Sequence, residues 1–506
     1  MQWPKIAFRP KYDVVIEETQ SICPQCKTLI PALLVEREGK VIMHKRCPEH
    51  GEFEALVYGD AAMFQRVAPF NKPGVPPNEL TTKVEKGCPW DCGICPEHRQ
   101  HLCLGIIEVN SACNLDCPLC LADALGPSRA GQGFELTYEQ VNFILDRFVI
   151  TEGQPEVVQF SGGEPSLHPR ILEFIALAQA KGISYVMLNT NGIRIARDDR
   201  FLEGLAKLKP HIYLQFDGFD PETSLRLRGR ADLLETKLKA LDRLAEADVR
   251  VVLVAAIEYG VNEHEIGRIV EFGIRHPAVF GVSFQSAFRA QRHLPADPLQ
   301  RITTPDILKA MEGQTSGLLR LSDFVPIPCC SPTCGVATYA MLTGERVIPI
   351  PRLVPVEMYL DYITNRSMPS LDQALLYLLE RLWSSGAKVG SDQATAFVFE
   401  ALSRARVPVR MPDPNWTAER CTSCRVGLPI SQHQPRDLGR HVFMISVRDF
   451  MDPYNFDVKD IHKCCVGVLL PDGRSVPFCA YNSVGYREQV TAQLTRQQLS
   501  GGRHVR

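Results

Sequence analysis

The chain has 506 residues, of which 45% are hydrophobic and 23% are charged, as in ordinary globular proteins with several domains. The formal net charge of -2 gives no general attraction to nucleic acid. No apolar run reaches the roughly 18 residues of a membrane span, and the N-terminus lacks the apolar core of a signal peptide. We therefore expect a cytoplasmic protein that contacts a membrane at most peripherally.

Cysteines are the unusual part of the composition. There are 18 of them, and none lies between residues 121 and 328. Disulfides are rare in the reducing cytoplasm, and scattered core thiols would not cluster in this way. The distribution therefore predicts metal binding on both sides of a separate, cysteine-free fold.

The first predicted element is a metal ribbon within residues 1–70. A C-x-x-C turn, a hairpin-like stretch over residues 30–46 and a CPEH turn follow one another. Two such turns around a hairpin are typical of a tetrahedral site for zinc or a single iron. The predicted ligands are Cys23, Cys26, Cys47 and His50. The alternatives are an empty ribbon, or a different fourth ligand in place of His50.

Residues 71–104 contain the next group of cysteines. They are Cys88, Cys92, Cys95 and Cys103. Four cysteines in one short segment predict an auxiliary 4Fe–4S cluster held entirely by protein. His98 or His101 could replace Cys103 as a ligand, and a second zinc site is the alternative interpretation.

Three further cysteines lie within eight residues, directly after the apolar stretch LGIIEV. They are Cys113, Cys117 and Cys120. A zinc site usually has four protein ligands, whereas three thiolates on one loop can hold three irons of a 4Fe–4S cube. The fourth iron is then open to a ligand that does not come from the protein.

From residue 105 to residue 290, short apolar runs alternate with amphipathic helical stretches. That alternation predicts a parallel sheet with right-handed crossovers. Six strands are too few for a closed eight-stranded barrel, so the expected fold is an α/β partial barrel of the (β/α)6 kind. Residues that carry chemistry should follow the strands, where the cysteine triplet and the SGGEP loop at 161–165 are found.

Residues 291–506 are predicted to form a C-terminal domain with a further 4Fe–4S cluster. A segment with PDG as its turn predicts a hairpin that brings Cys464 or Cys465 opposite Cys479. The predicted ligands of the cluster are Cys329, Cys334, Cys464 or Cys465, and Cys479. Cys421 and Cys424 are the main substitutes.

The triplet after the first strand and the GGEP loop after the second resemble the radical S-adenosylmethionine (SAM) superfamily. The resemblance implies that SAM chelates the fourth iron and is cleaved to a 5′-deoxyadenosyl radical, with electrons from a donor such as flavodoxin or ferredoxin. It also implies a set of SAM contacts, some of which could instead only cap strand ends. They are Gly162, Gly163, Glu164, Pro165, Asn189, Asn191, Gln215 and, against the adenine, Val261.

Over the whole chain, the pieces CPEHGEF, GCPWDCGICPEHRQHLC, PCCSPTC and FMDPYNF followed by PFCAYN resemble the tetraether lipid synthases and their bacterial relatives. This resemblance implies a lipid substrate whose unactivated alkyl chain ends are joined, with the apolar stretch 345–363 lining a tunnel. His50 departs from an all-cysteine rubredoxin site. The alternatives are a radical SAM methylase or other modifier of a small molecule such as a pterin, and a peptide-modifying maturase.

Overall fold

The computed structural model describes residues 14–129, 133–293, 297–343, 346–352, 356, 360, 364 and 442–501. The chain divides into two compact units, residues 1–338, 364–368 and 444–506 in the first and residues 339–363 and 369–443 in the second. Cys421, Cys424 and most of the apolar stretch 345–363 lie outside the described residues. The four domain ranges drawn from the sequence stay a prediction.

The N-terminal module is a four-stranded antiparallel sheet in the order β1-β2-β3-β4. Its strands are β1 (Val14–Ile22), β2 (Leu29–Arg37), β3 (Lys40–Cys47) and β4 (Gly51–Tyr58), followed by helix α1 (Ala61–Val67). The β2–β3 turn is made by Glu38 and Gly39, with φ of 53° and 73°. Two left-handed residues match the twist of the flanking strands, so the predicted hairpin forms at that point.

The centre of the chain is the expected α/β partial barrel. Its six parallel strands are β5 (Leu104–Asn110), β6 (Val157–Gly162), β7 (Tyr185–Thr190), β8 (His211–Gln215), β9 (Val251–Ile257) and β10 (Val279–Ser286). The crossover helices are α2 (Tyr138–Glu152), α3 (Ile171–Ala180), α4 (Asp199–Leu208), α5 (Pro221–Arg228), α6 (Leu233–Glu246) and α7 (Ile266–Arg275). Strand β9 is a nearly continuous apolar run, VVLVAAI, as expected for a buried parallel strand.

The C-terminal part adds two strands to the sheet in parallel pairings that the sequence did not reveal. Helix α8 (Thr304–Gln314) leads to β11 (Val325–Pro326), β12 (Gly335–Thr343) and β13 (Arg346–Pro349), and the last of these pairs with β12 inside the second unit. Strand β14 (Val442–Arg448) then pairs in parallel with β10, and β15 (Val466–Leu469) pairs in parallel with β5. Both edges of the six-stranded sheet are thereby extended, which removes two exposed strand edges.

The chain ends with the predicted hairpin and three helices. Strand β15 pairs in antiparallel register with β16 (Ser475–Pro477), and PDG lies in the turn between them. The helices are α9 (Val458–Ile461), α10 (Phe478–Ser483) and α11 (Tyr486–Gly501). In the described part of the chain, no helix is both long enough and apolar enough to cross a bilayer.

Candidate active site and metal centres

The cysteine triplet lies on the loop that follows β5. The loop is held by main-chain bonds from Cys113 N to Leu125 O (2.9 Å) and from Cys120 N to Arg292 O (3.0 Å). Burial raises the pKa of Cys113 to about 12. A thiol with such a pKa is neutral at pH 7, so its ionised form depends on bound metal, which deprotonates coordinating thiols. Three clustered soft donors of this kind fit an iron–sulfur cluster.

The GGEP loop packs directly against the end of β5. Gly163 N and Glu164 N donate to Asn110 O and Ala112 O, each at 2.8 Å. A Cβ added to Gly162 would lie 2.2 Å from Asn110 O, and one added to Gly163 would lie 2.2 Å from Ala112 O. Both positions must therefore be glycine, because the loop packs too closely against the backbone before the triplet to leave room for a side chain.

Glu164 joins the ends of two strands. Its side chain is 1% exposed and accepts bonds from Ser166 N (3.1 Å), Thr190 Oγ1 (2.6 Å) and Asn191 N (2.8 Å). Burial raises the pKa of this carboxyl, although the three bonds act in the opposite direction. Since a carboxylate has about four acceptor positions, one is left for the predicted bond to the SAM ammonium.

The other predicted SAM contacts have protein partners of their own. Asn189 Nδ2 donates to Ser161 Oγ (3.2 Å), Asn191 Nδ2 donates to Asn114 Oδ1 (2.6 Å), and Gln215 Oε1 accepts from Lys237 Nζ (3.1 Å). All three side chains nevertheless line the cavity beside the triplet, whereas Pro165 begins the short turn Pro165–Leu167. Their contacts with SAM stay a prediction.

Val261 is placed differently from the prediction. Its side chain packs in a buried cluster with Leu119, Leu227 and Ala287. Leu119 and Ala287 line the cavity, and Val261 is not among the described residues that do so. An apolar wall for an adenine would therefore be formed by its two neighbours, with Val261 behind them.

A cavity of about 310 Å³ lies inside the barrel and above the triplet. Its volume is within the usual range of ligand sites, about 300–1,000 Å³. The triplet, the GGEP loop and inward-facing residues of the strands line one part of it. The remaining part is lined by five C-terminal cysteines, which are Cys330, Cys334, Cys464, Cys465 and Cys479. One cavity therefore joins the predicted SAM site to the C-terminal cysteines.

Sequence reasoning missed a buried ion pair beside the triplet. Arg228 donates to both carboxylate oxygens of Asp217 at 2.7 Å, and its third nitrogen donates to Leu119 O at 3.1 Å. The pair is almost fully buried, and Ala256 N also donates to Asp217 Oδ1 (3.0 Å). Asp217 at a strand end was the only signal in the sequence, since Arg228 is one of many helix-borne arginines. The pair anchors the loop between Cys117 and Cys120.

The ribbon brings its four predicted ligands together. The Sγ atoms of Cys26 and Cys47 are 3.8 Å apart, and His50 Nδ1 lies 3.7 Å from Cys23 Sγ and 3.5 Å from Cys47 Sγ. Zinc bonds to sulfur of about 2.3 Å in a tetrahedron place two sulfurs about 3.8 Å apart. The donor set therefore fits one tetrahedral ion with His50 as the fourth ligand.

Cys103 departs from its predicted group. Its Sγ lies with those of Cys329 and Cys465, all within 4.8 Å of one another, and we call these three the strand group. The cause is the pairing of β5 with β15, in which Leu104 is opposite Val466, so the residues preceding both strands become neighbours. Cys103 therefore joins the C-terminal cysteines, and Cys88, Cys92 and Cys95 need another fourth ligand.

Three histidines are candidates for the fourth ligand beside Cys88, Cys92 and Cys95. A hydrogen bond with Cys92 and the ring of His462, acting against burial, lower the pKa of Cys88 to about 6. His98, the predicted substitute, lies with Nε2 3.0 Å from Cys464 O, and burial lowers its pKa to about 4. The other substitute, His101, lies with Nε2 3.7 Å from Cys103 Sγ, beside the strand group.

The predicted ligands of the C-terminal cluster also separate into two sets. Cys329 belongs to the strand group, whereas Cys334 contacts Cys330, and Cys464 contacts Cys479. These last four, Cys330, Cys334, Cys464 and Cys479, all line the cavity, and we call them the cavity group. Hydrogen bonding with Cys330, together with burial, raises the pKa of Cys334 well above its usual value. Metal binding at these thiols would release their protons.

We expect Cys103→Ser to remove the metal of the strand group and to spare a cluster at Cys88, Cys92 and Cys95. The reason is the β5–β15 register, which commits Cys103 to Cys329 and Cys465. Mössbauer spectra of the reconstituted variant should lose a component that the Cys95→Ser variant retains. Loss of the same component in both variants would restore the four-cysteine grouping drawn from the sequence.

Comparison with known proteins bears on these assignments. Residues 107–273 match the model of the radical SAM superfamily, and residues 15–59 match that of the HMPTM N-terminal zinc ribbon domain. The chain is 33% identical to the 7,8-dihydro-6-hydroxymethylpterin dimethyltransferase of Methanocaldococcus jannaschii, over 95% of the chain and 96% of that protein. It is also 34% identical to the GTP 3′,8-cyclase of Chlorobaculum tepidum, over 34% of the chain and 49% of the cyclase.

Among solved structures, SuiB of Streptococcus suis bound to its precursor peptide SuiA aligns with a TM-score of 0.36 at 16% identity. That match covers 43% of the chain and 46% of SuiB, and a similarity this weak does not indicate a shared function. The family matches confirm the resemblance to the radical SAM superfamily, with SAM and a 4Fe–4S cluster as cofactors. They favour the pterin alternative over the lipid interpretation, which they do not support.

Proposed function

The chain belongs to the family of the 7,8-dihydro-6-hydroxymethylpterin dimethyltransferase of Methanocaldococcus jannaschii, and on that premise we propose that it is a radical SAM enzyme that methylates a reduced pterin. When bound, SAM and its cluster supply a 5′-deoxyadenosyl radical that removes hydrogen from carbons no acid–base pair can activate. The residues of the chain must then orient a flat, polar heterocycle beside the triplet.

The observation that supports a pterin is a wall of carboxamides inside the barrel. Gln159, Asn189, Gln215 and Gln285 come from four strands and line the cavity. A carboxamide offers donors and an acceptor together, which suits the alternating donors and acceptors along the edge of a pterin. Gln159 is 8% exposed, and its carboxamide has no hydrogen-bond partner among the residues that the structure describes. It is therefore the side chain we assign to the pterin edge.

Two arginines keep the triplet loop in position for this chemistry. Arg228 donates to Leu119 O at 3.1 Å, and Arg292 donates to Cys117 O at 3.2 Å. Arg292 is in turn fixed by Asp123 at 2.9 Å. Because both bonds end on main-chain carbonyls between the cysteines, they hold the loop without competing for the metal.

The test uses the reconstituted enzyme with dithionite as reductant, a reduced 6-hydroxymethylpterin and excess SAM. Each methyl group would consume two SAM and two electrons from dithionite, and would give methionine, 5′-deoxyadenosine, S-adenosylhomocysteine and the methylated pterin. We expect 5′-deoxyadenosine and a methylated pterin by mass spectrometry. Gln159→Leu should lower kcat/KM for the pterin at least about tenfold, the effect of one lost polar contact of about 1.4 kcal/mol, while cleavage of SAM without substrate is unchanged. Gln65→Leu, at an exposed position of α1, is the matched control.

No methylated pterin, and no response of SAM cleavage to the pterin, would contradict the proposal. A predicted partner of the flavodoxin or ferredoxin type replaces dithionite in the cell. If dithionite alone cannot reduce the clusters, titanium(III) citrate serves in the same assay.

Coupling of lipid chain ends is the second candidate, because part of the cavity is apolar. Leu104, Ile106 and Val254 line it beside the carboxamides, and Phe450 and Phe478 line it beside the cavity group. An alkyl chain is bound only by apolar burial, worth about 0.8 kcal/mol per methylene. Turnover in the same assay with a long-chain dialkyl lipid, and none with the pterin, would reverse the order of the two candidates.

A further inference from the structure

Arg448 lines the cavity that is also lined by the triplet and the C-terminal cysteines. It is the last residue of β14, where it pairs in register with Gln285 of β10. The next residue, Asp449, donates its N–H to Cys334 O at 2.9 Å. A Cβ added to Gly335 would lie 2.8 Å from Arg448 Cδ, so the arginine stem lies against the backbone that follows Cys334. The position of the side chain is thus set by the cysteine loop.

Arg448 differs from the other arginines of the cavity in having no anionic partner. Arg228 is paired with Asp217 at 2.7 Å and Arg487 with Glu108 at 2.6 Å. The guanidinium of Arg448 has no hydrogen bond or ion pair within the described part of the chain, and Arg448 lines the cavity. An unpaired positive charge at a cavity wall attracts anions more strongly than the same charge in bulk water. An anion bound in this cavity would supply the partner that the guanidinium lacks.

The nearest candidates for that anion are thiolates. The Arg448 stem lies against the backbone that follows Cys334. The four cysteines of the cavity group, Cys330, Cys334, Cys464 and Cys479, line the same cavity as Arg448. Cysteine thiolates around a 4Fe–4S cluster leave it with a net negative charge, and one-electron reduction adds a further negative charge.

We propose that Arg448 is the counter-ion of the iron–sulfur cluster bound by the cavity group, and that it raises the reduction potential of that cluster. The proposal rests on the prediction that the cavity group binds an iron–sulfur cluster, and not on the identity of the substrate. A fixed positive charge stabilises the more negative, reduced form, so the cluster accepts an electron more readily than it would beside a neutral residue. No bond is made or broken, and the electron comes from the reductant.

The experiment is an EPR-monitored redox titration of the reconstituted holoenzyme with dithionite, without pterin or lipid. Arg448→Met should lower the midpoint potential of one auxiliary cluster by about 59 mV or more, a tenfold change in its reduced-to-oxidised ratio at fixed potential. Arg448→Lys keeps a charge and should recover most of the shift. Arg275→Met, at the exposed end of α7 where Arg275 pairs with Glu271, should leave every midpoint unchanged.

Unchanged midpoints in the Arg448→Met variant would overturn the proposal. If that variant does not assemble its clusters, Arg448→Gln answers the same question, because it removes the charge and keeps a polar side chain that can hydrogen-bond in the cavity. It should lower the same midpoint, and an unchanged midpoint would again overturn the proposal. The potentials are measured without substrate, so they test the role of Arg448 whether or not the enzyme methylates a pterin.

Discussion

Replacing Cys113, Cys117 and Cys120 with alanine is expected to abolish 5′-deoxyadenosine formation. The variant should lose about four irons, one cube, because no other cysteine lies on the loop that carries the triplet. Burial raises the pKa of Cys113 to about 12, so in the parent enzyme the ionised form of this thiol depends on the bound metal. Iron content, EPR after reduction, and chromatographic detection of 5′-deoxyadenosine measure the effect.

The ribbon and the C-terminal cysteines provide the control for this result. They lie on other loops, so their metal should remain in the triple variant. Cys26→Ser, in the ribbon, should retain full formation of 5′-deoxyadenosine. Reductive cleavage of SAM by the triple variant would show that another cluster is catalytic.

Removing the carboxyl of Glu164 should have the second-largest effect. Glu164→Ala leaves three buried donors, Ser166 N, Thr190 Oγ1 and Asn191 N, without their acceptor. Each unpaired buried donor costs about 1–3 kcal/mol, so the free energy of unfolding should fall by about 3 kcal/mol or more. Because the same bonds join the GGEP loop to the end of β7, SAM affinity should fall at least about tenfold. Denaturant unfolding and equilibrium binding of SAM measure the two effects.

Two further variants show whether this effect is specific. Glu164→Gln keeps the volume and one acceptor oxygen, so its losses should be intermediate. Glu173→Ala removes a carboxylate whose partner, Arg170, is exposed, and it should change stability by at most about 1 kcal/mol. A Glu164→Ala variant as stable as the parent, with unchanged SAM affinity, would contradict the role we give to these bonds.

The assignment of substrate shows the limits of motifs. The triplet and the GGEP loop specify radical chemistry and are silent about the molecule on which it acts. The whole-chain resemblance led to a lipid, whereas the relative that matches over 95% of the chain is named for a pterin. The cavity is lined by both carboxamides and apolar side chains, so the assay with pterin and with lipid decides between the two substrates.

Local sequence was enough for the elements whose parts are close along the chain. The ribbon ligands lie on two short turns around one hairpin, and the triplet lies on one loop, so spacing alone predicts which donors meet. The six barrel strands were readable because each is a buried apolar run between helices. The hairpin of β15 and β16 followed from its PDG turn for the same reason.

Only the tertiary structure showed which residues are brought together by pairing between strands that are far apart in sequence. The pairing of β5 with β15 joins residues more than 350 positions apart and moves Cys103 from its sequence neighbours to Cys465. Parallel pairing leaves no local signal, because either edge of a sheet offers the same main-chain groups to any apolar strand. The placement of β14 beside β10, which carries Arg448 into the cavity, has the same origin. The sequence by itself therefore determined the chemistry of the cofactor loops, and the sheet register decided which thiols and charges surround the substrate.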